Sequence, residues 1–297
     1  MPWTSPLTPS GRSALVPDGP WYYVFDAIGV HAKGNPVKLR DMVPEGAKPR
    51  DDLWFYVADI VSFSPNAQEL NYEAPGLLQY REAAIFVRVD WKGRSYAYCP
   101  FMYVDSDVSL VRGLVAGFPK KIAHIEMTRF HDLFKPEKYG GLAYRAGYGL
   151  MKLVVEPEKE VSELPLDDFG NWLLRRYIKP LNVDDMVEFV PEVQYGRIVE
   201  GRGDGEAGRR DQRRTGSLRT RRGAQGIPVQ REDRGKGPEG ALLSLYMFLR
   251  LRCPYPNQPF SSLLLSHTTL CGKGISTPAS SSASLTLESS QTLVDHH

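Results

Sequence analysis

The clearest indication of the fold is the run Ala84-Ile85-Phe86-Val87-Arg88-Val89-Asp90-Trp91-Lys92-Gly93-Arg94-Ser95-Tyr96-Ala97-Tyr98. Apolar and mixed positions alternate through residues 84–90, which is the period-two pattern of a β-strand. Lys92-Gly93 then supplies a turn, and a second β-rich run begins at Ser95. The stretch predicts a β-hairpin and favours antiparallel pairing for the sheet, because a tight turn joins only antiparallel strands.

Short β-rich runs separated by turn signals lie on both sides of this hairpin. The full set of runs is Trp21–Val30, Trp54–Phe63, Ala83–Trp91, Ser95–Val104 and Leu150–Val155. The 297 residues include 27 glycines and 23 prolines, a composition that favours many turns and short strands over long helices. We expect a mainly β (α+β) fold, an antiparallel barrel-like sheet with a few helices, followed by a largely disordered C-terminal region.

Three segments have the features of helices. Val37–Met42 ends before a turn that contains proline and glycine. Ser106–Ala116 begins with a capping residue, Ser106 or the aspartate after it, and ends at Gly117. Asp167–Tyr177 is the third predicted helix.

Composition divides the chain into three parts. We expect residues 1–18 to be a flexible N-terminal segment, residues 19–200 to form the folded domain and residues 201–297 to be a low-complexity, disordered tail. Serine and threonine dominate residues 276–291 of this tail. Residues of this kind bury too little apolar surface to offset the entropy lost on ordering. Within the tail, Ala241–Cys253 is predicted to form an isolated apolar helix or strand.

Ten arginines lie in residues 201–236. A solvated linker and an arm that binds nucleic acid are both consistent with such a tract. No aromatic side chain lies among the arginines to stack on bases, so the linker is the favoured interpretation.

Charge and cysteine content exclude several other classes of protein. Lys and Arg number 37 against 35 Asp and Glu, and a net charge of +2 argues against a nucleic acid or a membrane surface as partner of the whole chain. Cys99, Cys253 and Cys271 are too far apart for a disulfide framework or a C-x-x-C metal pair. Leu242–Leu251 is too short to span a bilayer, and the N-terminus lacks a secretion signal. We expect a cytoplasmic protein with no metal site.

The segment with the clearest chemistry is Gly117-Phe118-Pro119-Lys120-Lys121. A lysine among apolar groups is disfavoured in its charged form, and the neutral amine is the form that attacks a carbonyl. Neighbours on a strand point to opposite faces, so we infer that burial of Lys120 matters more than the charge of Lys121. Two solvated lysines in a turn are the simpler alternative.

An ordered set of motifs resembles the acetoacetate decarboxylase family between about residues 19 and 201. The motifs are Tyr80-Arg81-Glu82-Ala83, Tyr103-Val104-Asp105-Ser106-Asp107, Arg112-Gly113, Gly117-Phe118-Pro119-Lys120-Lys121 and Leu173-Leu174-Arg175-Arg176-Tyr177-Ile178. The resemblance implies that Lys120 forms a Schiff base and that Lys121 is its electrostatic companion. It also implies a catalytic role for Glu82 and substrate contacts from Asp59 and Phe118.

The resemblance further implies a lyase that decarboxylates a small β-keto acid or a polyketide-like keto acid, without a cofactor and as a homo-oligomer. Glu82 would repel the substrate carboxylate or transfer a proton, and the sequence does not choose between these roles. The alternative is a non-catalytic small-molecule-binding protein of the same fold, an accessory in a biosynthetic pathway of secondary metabolism. The six histidines show no zinc-binding spacing.

Overall fold

The structure is a computed structural model that describes residues 2–11, 13–162, 171–211 and 239–252. Within these ranges the chain forms eleven strands and three short α-helices. The strands are β1 Tyr22–Lys33, β2 Lys48–Phe63, β3 Gln79–Trp91, β4 Arg94–Val104, β5 Lys120–Ile122, β6 His124–Met127, β7 Tyr139–Arg145, β8 Tyr148–Val161, β9 Trp172–Ile178, β10 Val183–Asp211 and β11 Glu239–Arg252. The helices are α1 Pro36–Leu39, α2 Leu70–Glu73 and α3 Asp107–Ala116.

All described strands belong to one sheet, in the order β11-β1-β2-β3-β4-β9-β10-β8-β7-β6, with β5 paired to β4. Most neighbours are antiparallel, and β4 is parallel to both β5 and β9. Strand β11 pairs with β1 on one side and with β10 on the other. Seven strands therefore form a closed circuit, which confirms the prediction of a mainly β, barrel-like sheet.

The predicted hairpin is confirmed as β3 and β4. Trp91 lies opposite Arg94, and the two residues between them have positive φ, 48° at Lys92 and 78° at Gly93. Positive φ at both turn residues is typical of a type I′ turn, whose twist matches that of the flanking strands. The other three predicted β-rich runs coincide with strands β1, β2 and β8 of the sheet.

The central strands β2 and β3 are buried on both faces over residues 53–58 and 82–87. Tyr56 and Tyr80 belong to a cluster on what we call the inner face, which also contains side chains of α3, β9 and β10. Val57 and Val87 belong to a second cluster on the outer face, where β7 and β8 cover the sheet. The alternation of side chains along each strand assigns successive residues to opposite clusters.

Helix α3 begins and ends as the sequence predicts. The Ser106 side chain accepts a hydrogen bond from the backbone N–H of Ser109, three residues later. Gly117 adopts a left-handed conformation with φ 102°, and its N–H bonds to carbonyls of the last helical turn. The predicted helix Val37–Met42 is confirmed as α1 followed by a 3₁₀ turn.

The third predicted helix is wrong where the structure describes it, because residues 172–178 form strand β9. Leu173 packs in the outer cluster and Leu174 in the inner cluster, which is the alternation of a strand between two apolar layers. Residues 163–170, which include the start of the predicted helix, lie outside the described residues.

Two parts of the C-terminal segment are described, and both are strands. Strand β10 continues from the predicted folded domain through residue 200 to Asp211. The apolar run predicted as isolated is strand β11, which is paired along its length with β1 and β10. The rest of the arginine tract and the serine-rich segment lie outside the described residues. Among the helices that are described, none is long and apolar enough to cross a membrane.

Gly117 is required for its backbone conformation, so we predict that Gly117→Ala destabilises the fold. An L-residue in the left-handed region costs about 1–2 kcal/mol, and a Cβ here would lie 3.2 Å from Cβ of Arg176. Urea unfolding measures the loss. The matched control is Gly76→Ala, because no atom lies within 4 Å of a Cβ at that position. Equal stability of the two variants would refute the prediction.

Candidate active site

The inner face holds a buried ion pair between Lys120 and Glu82. Lys120 Nζ lies 2.8 Å from Glu82 Oε2, and the side chains are only 6% and 5% exposed. Lys120 Nζ also donates to the Ser109 hydroxyl at 2.9 Å. Burial disfavours an isolated ammonium, whereas the adjacent carboxylate stabilises it, so the two partners depend on each other. Removal of one partner from such a pair typically costs about 3–5 kcal/mol.

Strand β3 fixes the position of Glu82. Glu82 lies opposite Ala58 of β2 on one side of β3 and opposite Val104 of β4 on the other side. The hydroxyl of Tyr56 donates to Glu82 Oε1 at 2.5 Å, while Oε2 faces the lysine. Each carboxylate oxygen therefore has its own partner, which fixes the plane of the carboxylate.

The turn after α3 brings Lys120 to this carboxylate. The N–H of Phe118 bonds to the carbonyl of Gly113 at 2.9 Å, and the chain then enters β5, where Lys120 lies opposite Met102 of β4. The lysine side chain runs back along α3. A Cβ on Gly113 would lie 2.3 Å from Cδ of Lys120, so only glycine leaves space for it.

Aromatic side chains line the site. Lys120 Nζ lies 5.4 Å from the ring centre of Tyr80 and 5.7 Å from that of Phe118. The Phe118 ring packs against Trp172 at 6.0 Å and Phe189 at 4.9 Å. These rings exclude solvent from the lysine and place their electron-rich faces near its charge.

Three buried tyrosines surround the ion pair, and all three are held in the neutral form. Burial raises the pKa of Tyr56 well above its usual value, and the charge of Glu82 adds to the effect. Burial also raises the pKa of Tyr80, and the charge of Glu82 adds to the effect, whereas Arg112 opposes it. The pKa of Tyr23 is raised, mainly by burial. Each phenol can donate a hydrogen bond at neutral pH.

Arg112 brings a further positive charge into the site from α3. Arg112 is only 3% exposed. The guanidinium lies 4.4 Å from the ring centre of Trp21 and 5.0 Å from that of Tyr23, and Nη1 donates to the Ser62 hydroxyl at 3.3 Å. This charge lies on the same face of the sheet as Lys120.

The structure brings three of the five predicted site residues together: Lys120, Glu82 and Phe118. Lys121 is exposed, as expected for the strand neighbour of a buried residue. Asp59 lies on the outer face opposite Arg81, and its carboxylate is 3.9 Å from the Arg81 guanidinium. Neither Lys121 nor Asp59 contacts the ion pair.

Sequence reasoning assigned no role to Tyr56, Tyr80, Ser109 or Arg112. Tyr80 could have been found, because it lies two residues before Glu82 and residues at that spacing share one face of a strand. Ser109 and Arg112 are three residues apart and share a face of α3 by the same kind of argument. Tyr56 lies on another strand, and no local pattern connects it with Glu82.

The site shows no sign of a metal centre. Among the residues that the structure describes, no group of three or more His, Cys, Asp or Glu side chains is arranged to hold a metal ion. The one described cysteine, Cys99, is buried, and burial raises the pKa of its thiol well above the usual value.

A lysine paired with a carboxylate inside a closed, mainly antiparallel sheet defines the class: a β-barrel protein with a buried amine at its centre. The family profile described as acetoacetate decarboxylase (ADC) matches residues 4–210. The chain therefore belongs to the acetoacetate decarboxylase family, as the sequence motifs predict. No curated protein matches the chain.

Solved structures show the same fold. The enduracididine biosynthesis enzyme MppR is 21% identical, with a TM-score of 0.69 over 85% of this chain and 97% of that chain. An acetoacetate decarboxylase-like enzyme from Sphingomonas wittichii RW1 is 23% identical, with a TM-score of 0.66 over 84% and 97%. Acetoacetate decarboxylase from Legionella pneumophila is 12% identical, with a TM-score of 0.57 over 80% and 88%.

The contact between Gly113 and Lys120 predicts a change of sign in a double-mutant cycle. Gly113→Ala forces the lysine side chain aside and should destabilise the protein by about 1–3 kcal/mol. In a Lys120→Ala background the clash is absent, and the higher helix propensity of alanine should make the same change neutral or stabilising by up to about 1 kcal/mol. Urea unfolding of the four proteins measures both effects. The same cost in both backgrounds would refute the contact.

The raised pKa of Tyr80 predicts a loss of stability at alkaline pH. The neutral phenol is favoured in the folded state, so its contribution is fully present below the ordinary pKa of about 10 and is lost as pH rises above that value. Each such group lowers the free energy of unfolding by up to about 1.4 kcal/mol per pH unit. Above pH 10, the free energy of unfolding measured with urea should fall less steeply with pH for Tyr80→Phe than for the wild type. An equal pH dependence in both proteins would mean that Tyr80 ionises in the folded protein as readily as in the unfolded chain.

Proposed function

We propose that the protein decarboxylates a small β-keto acid or a polyketide-like keto acid through a Schiff base on Lys120. The observation that carries the proposal is a buried primary amine with a carboxylate at 2.8 Å and a hydroxyl at 2.9 Å. A lysine excluded from water is suited to act as a nucleophile towards a ketone. Membership of the family supports the same reaction.

The reaction begins when Glu82 accepts a proton from Lys120. The neutral Nζ then attacks the ketone carbon, a C–N bond forms, and the ketone oxygen leaves as water after it has gained two protons. In the resulting iminium ion the bond between the carboxylate and its neighbouring carbon breaks. Carbon dioxide leaves, and the bonding electron pair enters the iminium to give an enamine. Protonation on carbon and hydrolysis by water release the ketone and return the free amine.

The hydrogen-bond partners supply the proton transfers that these steps need. Glu82 Oε2 and the Ser109 hydroxyl both touch the reacting nitrogen, so either can carry a proton to or from it. Tyr56 holds the second oxygen of Glu82 and keeps the carboxylate aimed at the amine. Lys121 is exposed, so its proposed electrostatic influence is weakened by solvent.

Two complexes of MppR support a keto acid as the class of ligand. One MppR structure contains pyruvate, and another contains the condensation product of pyruvate and imidazole 4-carboxaldehyde. These ligands belong to that protein, which shares the fold at about one fifth identity. For this chain they favour a small keto acid over a sugar, a peptide or a nucleotide.

The ion pair also favours a second candidate function. Glu82 stabilises the ammonium form of Lys120, and an ammonium does not attack a carbonyl. A protein that keeps this pair intact in the presence of ligand would bind a keto acid without turnover. The two functions differ in one measurable property, namely whether a covalent bond to Lys120 forms.

We predict that borohydride reduction in the presence of acetoacetate attaches the ligand irreversibly to Lys120. Mass spectrometry of the digested protein should locate the adduct at this residue and show none in Lys120→Ala. Lys121→Ala is the matched control, because the neighbouring lysine is exposed and should leave the adduct in place. Absence of an adduct in the wild type at saturating acetoacetate would support the non-catalytic binder.

A kinetic assay separates the role of Glu82 from that of the nucleophile. Glu82→Gln removes the proton acceptor and should lower the rate of carbon dioxide release by about 10²–10⁴-fold, the usual contribution of a general acid–base group. Release of carbon dioxide from ¹³C-carboxyl acetoacetate measures the rate. An unchanged rate in Glu82→Gln would exclude the proposed proton transfer.

A further inference from the structure

The ion pair of Lys120 and Glu82 holds too few protons for every step of the proposed reaction. Both protons that the departing ketone oxygen gains come from the Lys120 ammonium, and Glu82 Oε2, at 2.8 Å from Nζ, is placed to carry them. When the enamine has formed, Glu82 is therefore a carboxylate again, and the nitrogen keeps its last proton. The enamine carbon still needs a proton, so a second acid must lie within reach of it.

Two acidic groups near the ion pair already donate to protein acceptors. The Tyr56 hydroxyl donates to Glu82 Oε1 at 2.5 Å and so holds the carboxylate in place. The Cys99 thiol donates to the backbone carbonyl of Phe101 at 3.6 Å, and burial raises its pKa well above the usual value. Neither group is free to give its proton to a ligand.

Among the other hydroxyl groups that the structure describes on the inner face, the Tyr80 hydroxyl is best placed. Lys120 Nζ lies over the Tyr80 ring, 5.4 Å from its centre. The Ser109 hydroxyl is bonded to Nζ, but an alcohol is a much weaker acid than a phenol. The ring of Tyr23 packs instead against the Arg112 guanidinium, at 5.0 Å.

Strand β3 holds Tyr80 in this position. Tyr80 lies two residues before Glu82, so the two side chains share the inner face of the strand. The residue is only 5% exposed, and its ring packs within the inner cluster. The enamine carbon is two bonds from Nζ, so a ligand that extends from Nζ across this ring brings the carbon towards the phenol.

We infer that Tyr80 is the acid that protonates the enamine carbon after carbon dioxide has left. This inference rests on the proposed function and adds a catalytic residue to it. The O–H bond of Tyr80 breaks, and the electron pair of the enamine double bond forms the new C–H bond, while the nitrogen lone pair restores the iminium. Water then attacks the iminium carbon and gives one proton to the phenolate. The released amine takes up one proton from solvent, which balances the loss of carbon dioxide.

The charges around Tyr80 suit a phenol that ionises only during this step. Burial and the charge of Glu82 raise the pKa of Tyr80, so the phenol keeps its proton in the resting protein. Arg112 opposes this shift, and its guanidinium lies 5.9 Å from the centre of the ring. The phenolate that forms beside the new iminium ion is therefore stabilised by two positive charges.

A burst of carbon dioxide tests this role. Tyr80→Phe keeps the buried ring but has no proton to give, so the enamine should accumulate in the first turnover. Continuous mass spectrometry of carbon dioxide from ¹³C-carboxyl acetoacetate should show a burst of about one molecule per site, followed by a steady-state rate at least about 10²-fold below that of the wild type. The wild type, which protonates the enamine rapidly, should show no burst.

Borohydride trapping with acetone shows whether the lysine itself is intact in the variant. An iminium forms from acetone and Lys120 without any proton transfer to carbon, so the yield of adduct in Tyr80→Phe should stay within about twofold of the wild type. Tyr72→Phe is the matched control, because Tyr72 is 76% exposed. This variant should change neither the trapping nor the release of carbon dioxide.

The other outcomes would overturn the inference. An unchanged steady-state rate in Tyr80→Phe would mean that another group gives the proton, and a burst in Tyr23→Phe would identify that group. An equal loss of adduct and of carbon dioxide release in Tyr80→Phe, without a burst, would mean that Tyr80 only positions Lys120. If the wild type forms no adduct and releases no carbon dioxide, the proposed function fails and this inference fails with it.

Discussion

The ion pair between Lys120 and Glu82 holds the site together. Both charges are almost completely buried, and neither is favourable there without the other. The pair joins two elements that are distant in sequence, the middle of β3 and the short strand that follows α3. Tyr56 and Ser109 each add a hydrogen bond to the pair. Apolar and aromatic side chains of β2, β3 and β10 pack around the pair on the inner face.

The sequence predicts the parts of the fold that have local causes. The alternation in β3, the Lys92-Gly93 turn and the two caps of α3 each depend on residues a few positions apart. The motifs that contain Glu82 and Lys120 predict, through resemblance, two site residues, and the structure places their side chains 2.8 Å apart. The alternation of side chains along a strand could have excluded Asp59 from the site. Asp59 is three residues after Tyr56 in β2, and an odd spacing places the two side chains on opposite faces.

The local sequence patterns did not predict contacts between elements that are distant in the chain. An apolar run such as the one in β11 has the same composition whether it forms a buried helix or a strand, and its partners β1 and β10 decide the outcome. Strand β9 was predicted as a helix for the same reason, since apolar layers lie on both of its sides. Arg112 was visible as part of a motif, but only the structure shows that it packs against the rings of Trp21 and Tyr23 on the inner face.

The pairing of β1 with β11 has a consequence for how the protein is made. Strand β1 begins at Tyr22, and its partner ends at Arg252, so more than two hundred residues leave the ribosome between the two. Contacts of such long sequence separation form slowly, because a large loop must close before they are gained. During translation, the edge of β1 that pairs with β11 therefore stays unpaired until β11 has been synthesised. Until then, nascent chains can associate with one another through this edge.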